Sequence, residues 1–296
     1  MKAQDTSIIA DMPQWVREFS LFPNNREIAQ EIIRRSHEKV SDISGYLRLI
    51  SSDPTLTIHI LKIANAGLFN YARRISSIEK ALVVLGFEQV RDIALVISTT
   101  SLFKLHPYPK QVQGIWRHSL VTALSLKVLA ENFNSENKEL LYFGGLLHDI
   151  GKTVLLSKLG EEYYLLLEKE EQDVVRICDL ENQYLGVNHA IIGAELATQW
   201  NLPSNLVSMI GGHHGDLNKD SRDEQAFLNQ LLYLGNFLAH DLEKGITDHS
   251  ELTELYPASK EHIIMSDNEY KRVRERVLSE IRDQQIFLNH IQIGIS

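Results

Sequence analysis

Leu146-Leu147-His148-Asp149-Ile150-Gly151-Lys152 sets an imidazole and a carboxylate side by side between apolar residues and a Gly-Lys pair. A neutral nitrogen donor and an anionic oxygen donor suit a transition metal, glycine permits a turn, and lysine supplies a mobile cation. The stretch is therefore a candidate site for a metal and a phosphate. Adjacent helical residues point about 100° apart, so His148 and Asp149 cannot both aim at one centre from one helix face. They can straddle a centre where a helix ends, and a carboxylate placed there can bridge two ions.

Working outward, the apolar residues recur at helical spacing on both sides. Leu140–Asp149 predicts a helix closed by Gly151, and Val112–Asn132 predicts another, with Ile115, Trp116, Leu120, Ala123 and Val128 on its apolar side. Downstream, helices are expected over Glu161–Glu171, over Asp173–Leu185, from an Asn188 cap through Ala197, from Pro203 to Gly211–Gly215, and over Glu224–Glu243. Upstream, Asn24–Arg35, a run from Ser41, Pro54–Gly67, a run from a Ser76/Glu79 capping box to Gly86, and Val90–Leu102 read the same way. No alternating apolar pattern of useful length occurs. The fold class is all-α.

His106-Pro107-Tyr108-Pro109 is the strongest punctuation in the chain, because each proline biases the residue before it away from helix. It divides the sequence into a lead over 1–21, an N-terminal helical half over 22–106 and a second half over 107–243. Residues 244–296 form a tail, read as a long loop followed by a docking helix over Asn268–His290.

Composition bounds the function. Hydrophobic residues at 44% and charged residues at 23% are ordinary for a globular chain of 296 residues. A net charge of −9 repels a phosphate backbone, so nucleic acid is disfavoured as a partner. The one small basic group that opposes this, Arg73-Arg74, Lys80 and Arg91, reads more simply as solvated helix ends. The lone cysteine, Cys178, sits in an apolar run and reads as a buried small side chain. No apolar run approaches the roughly 18 residues that a bilayer requires, and a cytoplasmic protein is expected.

Five histidines of the second half, His118, His148, His189, His213 and His214, join Asp149 as candidate ligands. Imidazoles with a carboxylate suit divalent transition metals better than calcium or magnesium, which prefer oxygen shells. Two ions about 3.5–4 Å apart would clamp a phosphoryl group and lower the pKa of a bound water. Lys152, one turn past His148, could steady a phosphate oxygen.

These residues resemble the HD superfamily of metal-dependent phosphohydrolases. His189 in Asn-His-Ala-Ile-Ile-Gly-Ala-Glu, with His213-His214, is similar to the added histidines of the HD-GYP branch, which hydrolyses cyclic di-GMP. The first half is narrower in its likeness. Asp53-Pro54, Ala64-Asn65-Ala66-Gly67-Leu68-Phe69, Ile75–Ile78, Ala81 and Leu85-Gly86 resemble the HDOD module, the HD-related output domain of bacterial signalling, over Phe22 to Glu243. The resemblance implies N-terminal helices packed on an HD-like helical core. It also implies one or two ions, with iron or manganese favoured and zinc or nickel compatible.

Two departures bear on activity. The Gly-Tyr-Pro element that follows the paired histidines in the HD-GYP branch is replaced by Gly215-Asp216-Leu217, which weakens the case for cyclic di-GMP hydrolysis. The position of the late HD aspartate holds Asn236, a weaker ligand that neutralises no charge. Asp241 lies about 140° around the helix from it, whereas His240 shares its face. Two functions follow. In one, the chain is a signalling output module that holds a metal through His118, His148, Asp149, His189, His213, His214 and Asn236, and engages a protein partner through its N-terminal helices. In the other, it is a phosphohydrolase of a nucleotide or other phosphate ester, with Asp149 and Lys152 as catalytic groups.

Overall fold

Apolar stripes at helical spacing must be buried against one another, and the computed structural model shows how. It describes residues 26–36, 43–65, 75–101, 107–173, 177–214, 223–244 and 265–291, and all regular structure among them is helical. The expected lead over 1–21, the dipeptide Arg73-Arg74 and most of the expected loop in the tail lie outside the described residues. No helix among the described residues is long and apolar enough to cross a membrane.

The N-terminal half contains α1 (Arg26–Ser36), α2 (Ile43–Ser51), α3 (Pro54–Ala64), α4 (Ile78–Leu85) and α5 (Phe87–Ser101). Ile32, Ile33, Ile50, Leu56, Ile60 and Ala81 fill its interior. Helix α4 is capped by Ser77, which accepts the Lys80 amide, one residue later than the Ser76 box predicted. Asn65 does the work of a backbone segment at the end of α3. Its amide oxygen accepts from Ile75 N at 2.8 Å and its Nδ2 donates to Ile75 O at 2.7 Å, so the chain returns in register to begin α4.

The second half contains α6 (Pro109–Asn132), α7 (Lys138–Leu147), α8 (Ile150–Leu159), α9 (Glu161–Asp173), α10 (Ile177–Leu185), α11 (His189–Gln199), α12 (Ser204–Gly212) and α13 (Glu224–Lys244). Helix α6 is central, buried along most of its length and packed against α7 and α13. Close approach there depends on Gly145, where a Cβ would sit 2.6 Å from the Ala123 Cα.

The sequence reading is corrected at Gly151. The residue does not end a helix; it lies in the first turn of α8, which the reading had not anticipated. Its lack of a side chain serves packing instead. A Cβ at Gly151 would lie 1.9 Å from the His189 carbonyl oxygen and 2.9 Å from Gly193 N, so α8 and α11 touch backbone to backbone.

Helix α14 (Asp267–Ile291) lies in the tail. It buries Val273 and Val277 and packs on α6, α13 and α3, so it touches both halves. Arg274 Nε donates to the fully buried Asp241 at 2.8 Å, and Tyr270 OH donates to the same oxygen at 3.0 Å. A second link between the halves is Arg91 on α5, 7% exposed, which pairs with Asp92 and reaches Glu139 of α7 at 3.3 Å. Its burial removes it from the basic group considered for nucleic acid.

Replacing Gly151 with alanine must separate α8 from α11. An overpacking cost of about 1–3 kcal/mol is expected, read as a lower urea midpoint with an unchanged slope.

Candidate metal centre

The turn between α7 and α8 delivers the central pair. His148 closes α7 with its amide bonded to Gly144 O, and Asp149 departs from helical geometry at φ −95°, ψ 10° before α8 begins. The change of helix direction lets both side chains face one interior. His148 is fully buried and Asp149 is 2% exposed. His189 opens α11 behind an Asn188 cap that accepts the Ile191 amide. His213 and His214 follow the end of α12.

Hydrogen bonds at the far ring nitrogens fix which nitrogen faces inward. Carbonyl oxygens only accept, so the Nδ1–H of His148 donates to Gly145 O at 2.8 Å and that of His213 donates to Ile210 O at 2.6 Å. His189 Nδ1 donates to Glu181 Oε2 at 2.6 Å, and Glu181 also accepts the His189 amide and the Tyr163 hydroxyl. In all three rings Nε2 is left to point at the interior. Metal-bound histidines are commonly held by a partner at the other nitrogen in this way.

The inward atoms form two groups that share Asp149. One comprises Asp149, His189, His213 and His214, and the other His118, His148 and Asp149, with the ligand atoms of each group inside 4.8 Å. His189 Nε2 lies 3.2 Å from His213 Nε2, 3.0 Å from His214 Nε2 and 3.2 Å from Asp149 Oδ1. One proton on His189 Nε2 cannot satisfy three acceptors, so unshielded lone pairs confront one another. Ligands about 2.1 Å from one ion sit roughly 3.0–3.4 Å apart at angles near 90–110°, which is the spacing found. His148 Nε2 and Asp149 Oδ1 are buried without a hydrogen bond, a state that a bound cation would relieve. The residues fit a divalent transition metal.

Electrostatics agree at His148, His213 and His214 and oppose ligation at His189. Burial pushes the imidazoles of His148, His213 and His214 below their usual pKa, keeping them neutral and able to donate a lone pair. Burial also opposes the charge of Asp149, but His148, Lys152 and the neighbouring imidazoles hold its carboxyl well below the usual range. For His189 burial disfavours the cation, yet Glu181 and Asp149 outweigh it and raise the pKa.

Lys152 Nζ lies 2.9 Å from Asp149 Oδ2, so its ammonium is directed at the carboxylate. Asn236 on α13 contacts His118 Nε2 through its Oδ1 at 2.7 Å, which places it at the edge of the group containing His148. The structure thus brings all seven sequence-predicted residues, with Lys152, into one region. Glu181 and Tyr163 were missed. Glu181 lies on the same stripe as Ile177 and Leu180, and a carboxylate on an apolar stripe is the signal that could have found it.

The profile of the HDOD domain family matches residues 22–215. The chain belongs to the HDOD family. An uncharacterized protein of Treponema pallidum is 25% identical over 217 residues, 72% of this chain, and the chain spans 41% of that relative's length. Among solved structures, an HDOD domain protein of unknown function from Geobacter sulfurreducens is 21% identical, with a TM-score of 0.68 over 95% of this chain and 96% of the other. A protein from Marinobacter aquaeolei, named provisionally as a signal transduction protein, is 21% identical at a TM-score of 0.68, covering 93% of this chain and 60% of its own. At such identities the likeness establishes the HDOD fold alone. The profile match ends before α13, so Asn236 lies beyond it.

Two outcomes test the centre. Glu181→Gln removes the charge behind His189 and should weaken metal affinity about 10–100-fold, measured by competition with a chromophoric chelator. In the metal-free chain His148, His213 and His214, whose pKa values are lowered, take up protons on unfolding below about pH 6.5. Their stabilisation is full above that pH and is lost as pH falls. His189, with its pKa raised, acts in the opposite sense, and its contribution falls only as pH rises above 6.5. The unfolding free energy from urea titration in chelator should therefore drop between pH 7 and pH 5, by up to about 1.4 kcal/mol per pH unit for each of the three histidines.

Proposed function

We propose that this HDOD protein is a bacterial signal-transduction output module acting in the cytoplasm. Its HD-like half holds a divalent transition metal, with iron or manganese favoured. Asp149, His189, His213 and His214 supply the first position. The second position, at His118, His148, Asp149 and Asn236, is weaker, because a neutral amide replaces a carboxylate. The N-terminal helices α1–α5 present the state of the centre to a protein partner, communicating through Arg91 and through α14.

The observation that carries this reading is the convergence of three Nε2 atoms and Asp149 Oδ1, with the far nitrogens of His189 and His213 already tied. The direction of Lys152 supports a binding role over turnover, since its ammonium neutralises Asp149. Family membership and the name of the Marinobacter neighbour support the signalling class.

A second reading, hydrolysis of a nucleotide or other phosphate ester, is favoured by one feature. Asp149 divides its oxygens between two ligand groups, Oδ1 toward His189 and His213 and Oδ2 toward His148. When bound, ions on either side of such a carboxylate would lower the pKa of water and neutralise phosphoryl charge. In that reading Lys152 would leave Asp149 for a phosphate oxygen.

Metal content after mild anaerobic purification decides the first point. Near-stoichiometric metal that falls at least tenfold in His148→Ala/Asp149→Ala is expected, and equal metal in both proteins would sink the centre. A panel of phosphate esters with iron- or manganese-loaded protein decides the second, and metal-dependent turnover there would establish the hydrolase.

A further inference from the structure

One face of α13 carries Asn236, His240 and Glu243 at spacings of four and three residues, and all three meet His118 of α6. His118 Nε2 lies 2.7 Å from Asn236 Oδ1 and its Nδ1 lies 2.8 Å from Glu243 Oε2. Its ring lies against that of His240, with centroids 4.4 Å apart and a tilt of 37°. Ligand atoms of His118, His240 and Glu243 come within 4.8 Å of one another. His118 is buried, His240 partly so, and Glu243 is exposed, so the group opens to solvent.

A neutral imidazole has one N–H for the two acceptors at its opposite edges. In the tautomer that carries the proton on Nε2, against Asn236 Oδ1, the Nδ1 of His118 offers a lone pair beside the Glu243 carboxylate, and the two can ligate one cation together. The carboxylate absent at Asn236 is thus present seven residues later on the same helix face, on the other side of the His118 ring. Two imidazoles with a carboxylate, two of the three from an i, i+3 pair on one helix, suit zinc or another borderline divalent ion. The nearby cation on α6, Arg117, stands 3.8 Å from Glu243 Oε1 on a largely exposed side chain. Such an exposed, solvent-screened pair competes weakly.

We propose that Nδ1 of His118, His240 and Glu243 form an additional metal site at the solvent-facing end of α13, distinct from the Asp149-centred positions. It shares only His118 with the weaker inner position, and it requires neither Asp149 nor the histidines of α11 and α12.

The test is a Zn2+ titration of the full chain, stripped of metal, with the ion alone as probe. The wild type should bind one more ion than His240→Ala/Glu243→Gln. Asp149→Asn/His213→Ala should retain that ion with a Kd within threefold of the wild type. Equal stoichiometry and affinity in the wild type and the first variant would overturn the site, leaving a hydrogen-bonded His118–Glu243 pair only. Failure of the inner centre would look different, since Asp149→Asn/His213→Ala would then match the wild type while the first variant still lost an ion. Should a variant fail to fold, the wild type alone suffices. Zn2+ should slow diethyl pyrocarbonate modification of His240, read by mass spectrometry, at least tenfold, and an unchanged rate overturns the proposal.

Discussion

A carboxylate 2% exposed is the constraint around which the second half is organised. Removing Asp149 from water costs several kcal/mol unless charge or strong donors surround it. The chain supplies them from two directions, Lys152 one turn on and His189 at the head of α11, while the Nε2 atoms of His148 and His213 face the same carboxylate as would-be ligands. Each supplier must be held in place. Backbone contact at Gly151 brings α11 close enough, Glu181 and Tyr163 fix the His189 ring, and carbonyls fix His148 and His213. The layout of α7, α8, α11 and α12 follows from that one buried charge.

Much of this was legible in the sequence. Helical periodicity marked out α6, α11 and α13, through an apolar face in each and, at α11, the Asn188 cap. The ligand residues were legible because histidine beside aspartate in apolar context has few structural uses. Helix α8 was not, because Gly151 looks like punctuation; a glycine that ends a helix and one that admits a neighbouring backbone are the same letter. The Ser76 box failed for a similar reason, since Ser76 and Ser77 are both competent caps and only the backbone path selects Ser77. Glu181 was passed over because its partner is eight residues away on another helix. Glu243 was passed over because it was weighed as the end of a helix and not by what faces it across α6.

His118 shows how the two edges of one ring can face different neighbours. An aspartate at position 236 would draw the inner nitrogen of His118 toward a shared ion. The asparagine there meets that nitrogen through Oδ1, and the opposite nitrogen faces Glu243.

Helix α14 has a consequence for what counts as the folding unit. Its Arg274 and Tyr270 partner a carboxylate of α13 that is wholly buried, and its apolar face lies on helices of both halves. The segment recognisable as HDOD ends at residue 215, but the polypeptide that unfolds cooperatively must run on to this last helix. A fragment ending at the family boundary would also lack α13. One ending after α13 would strand Asp241 without Arg274 and Tyr270, its partners on α14.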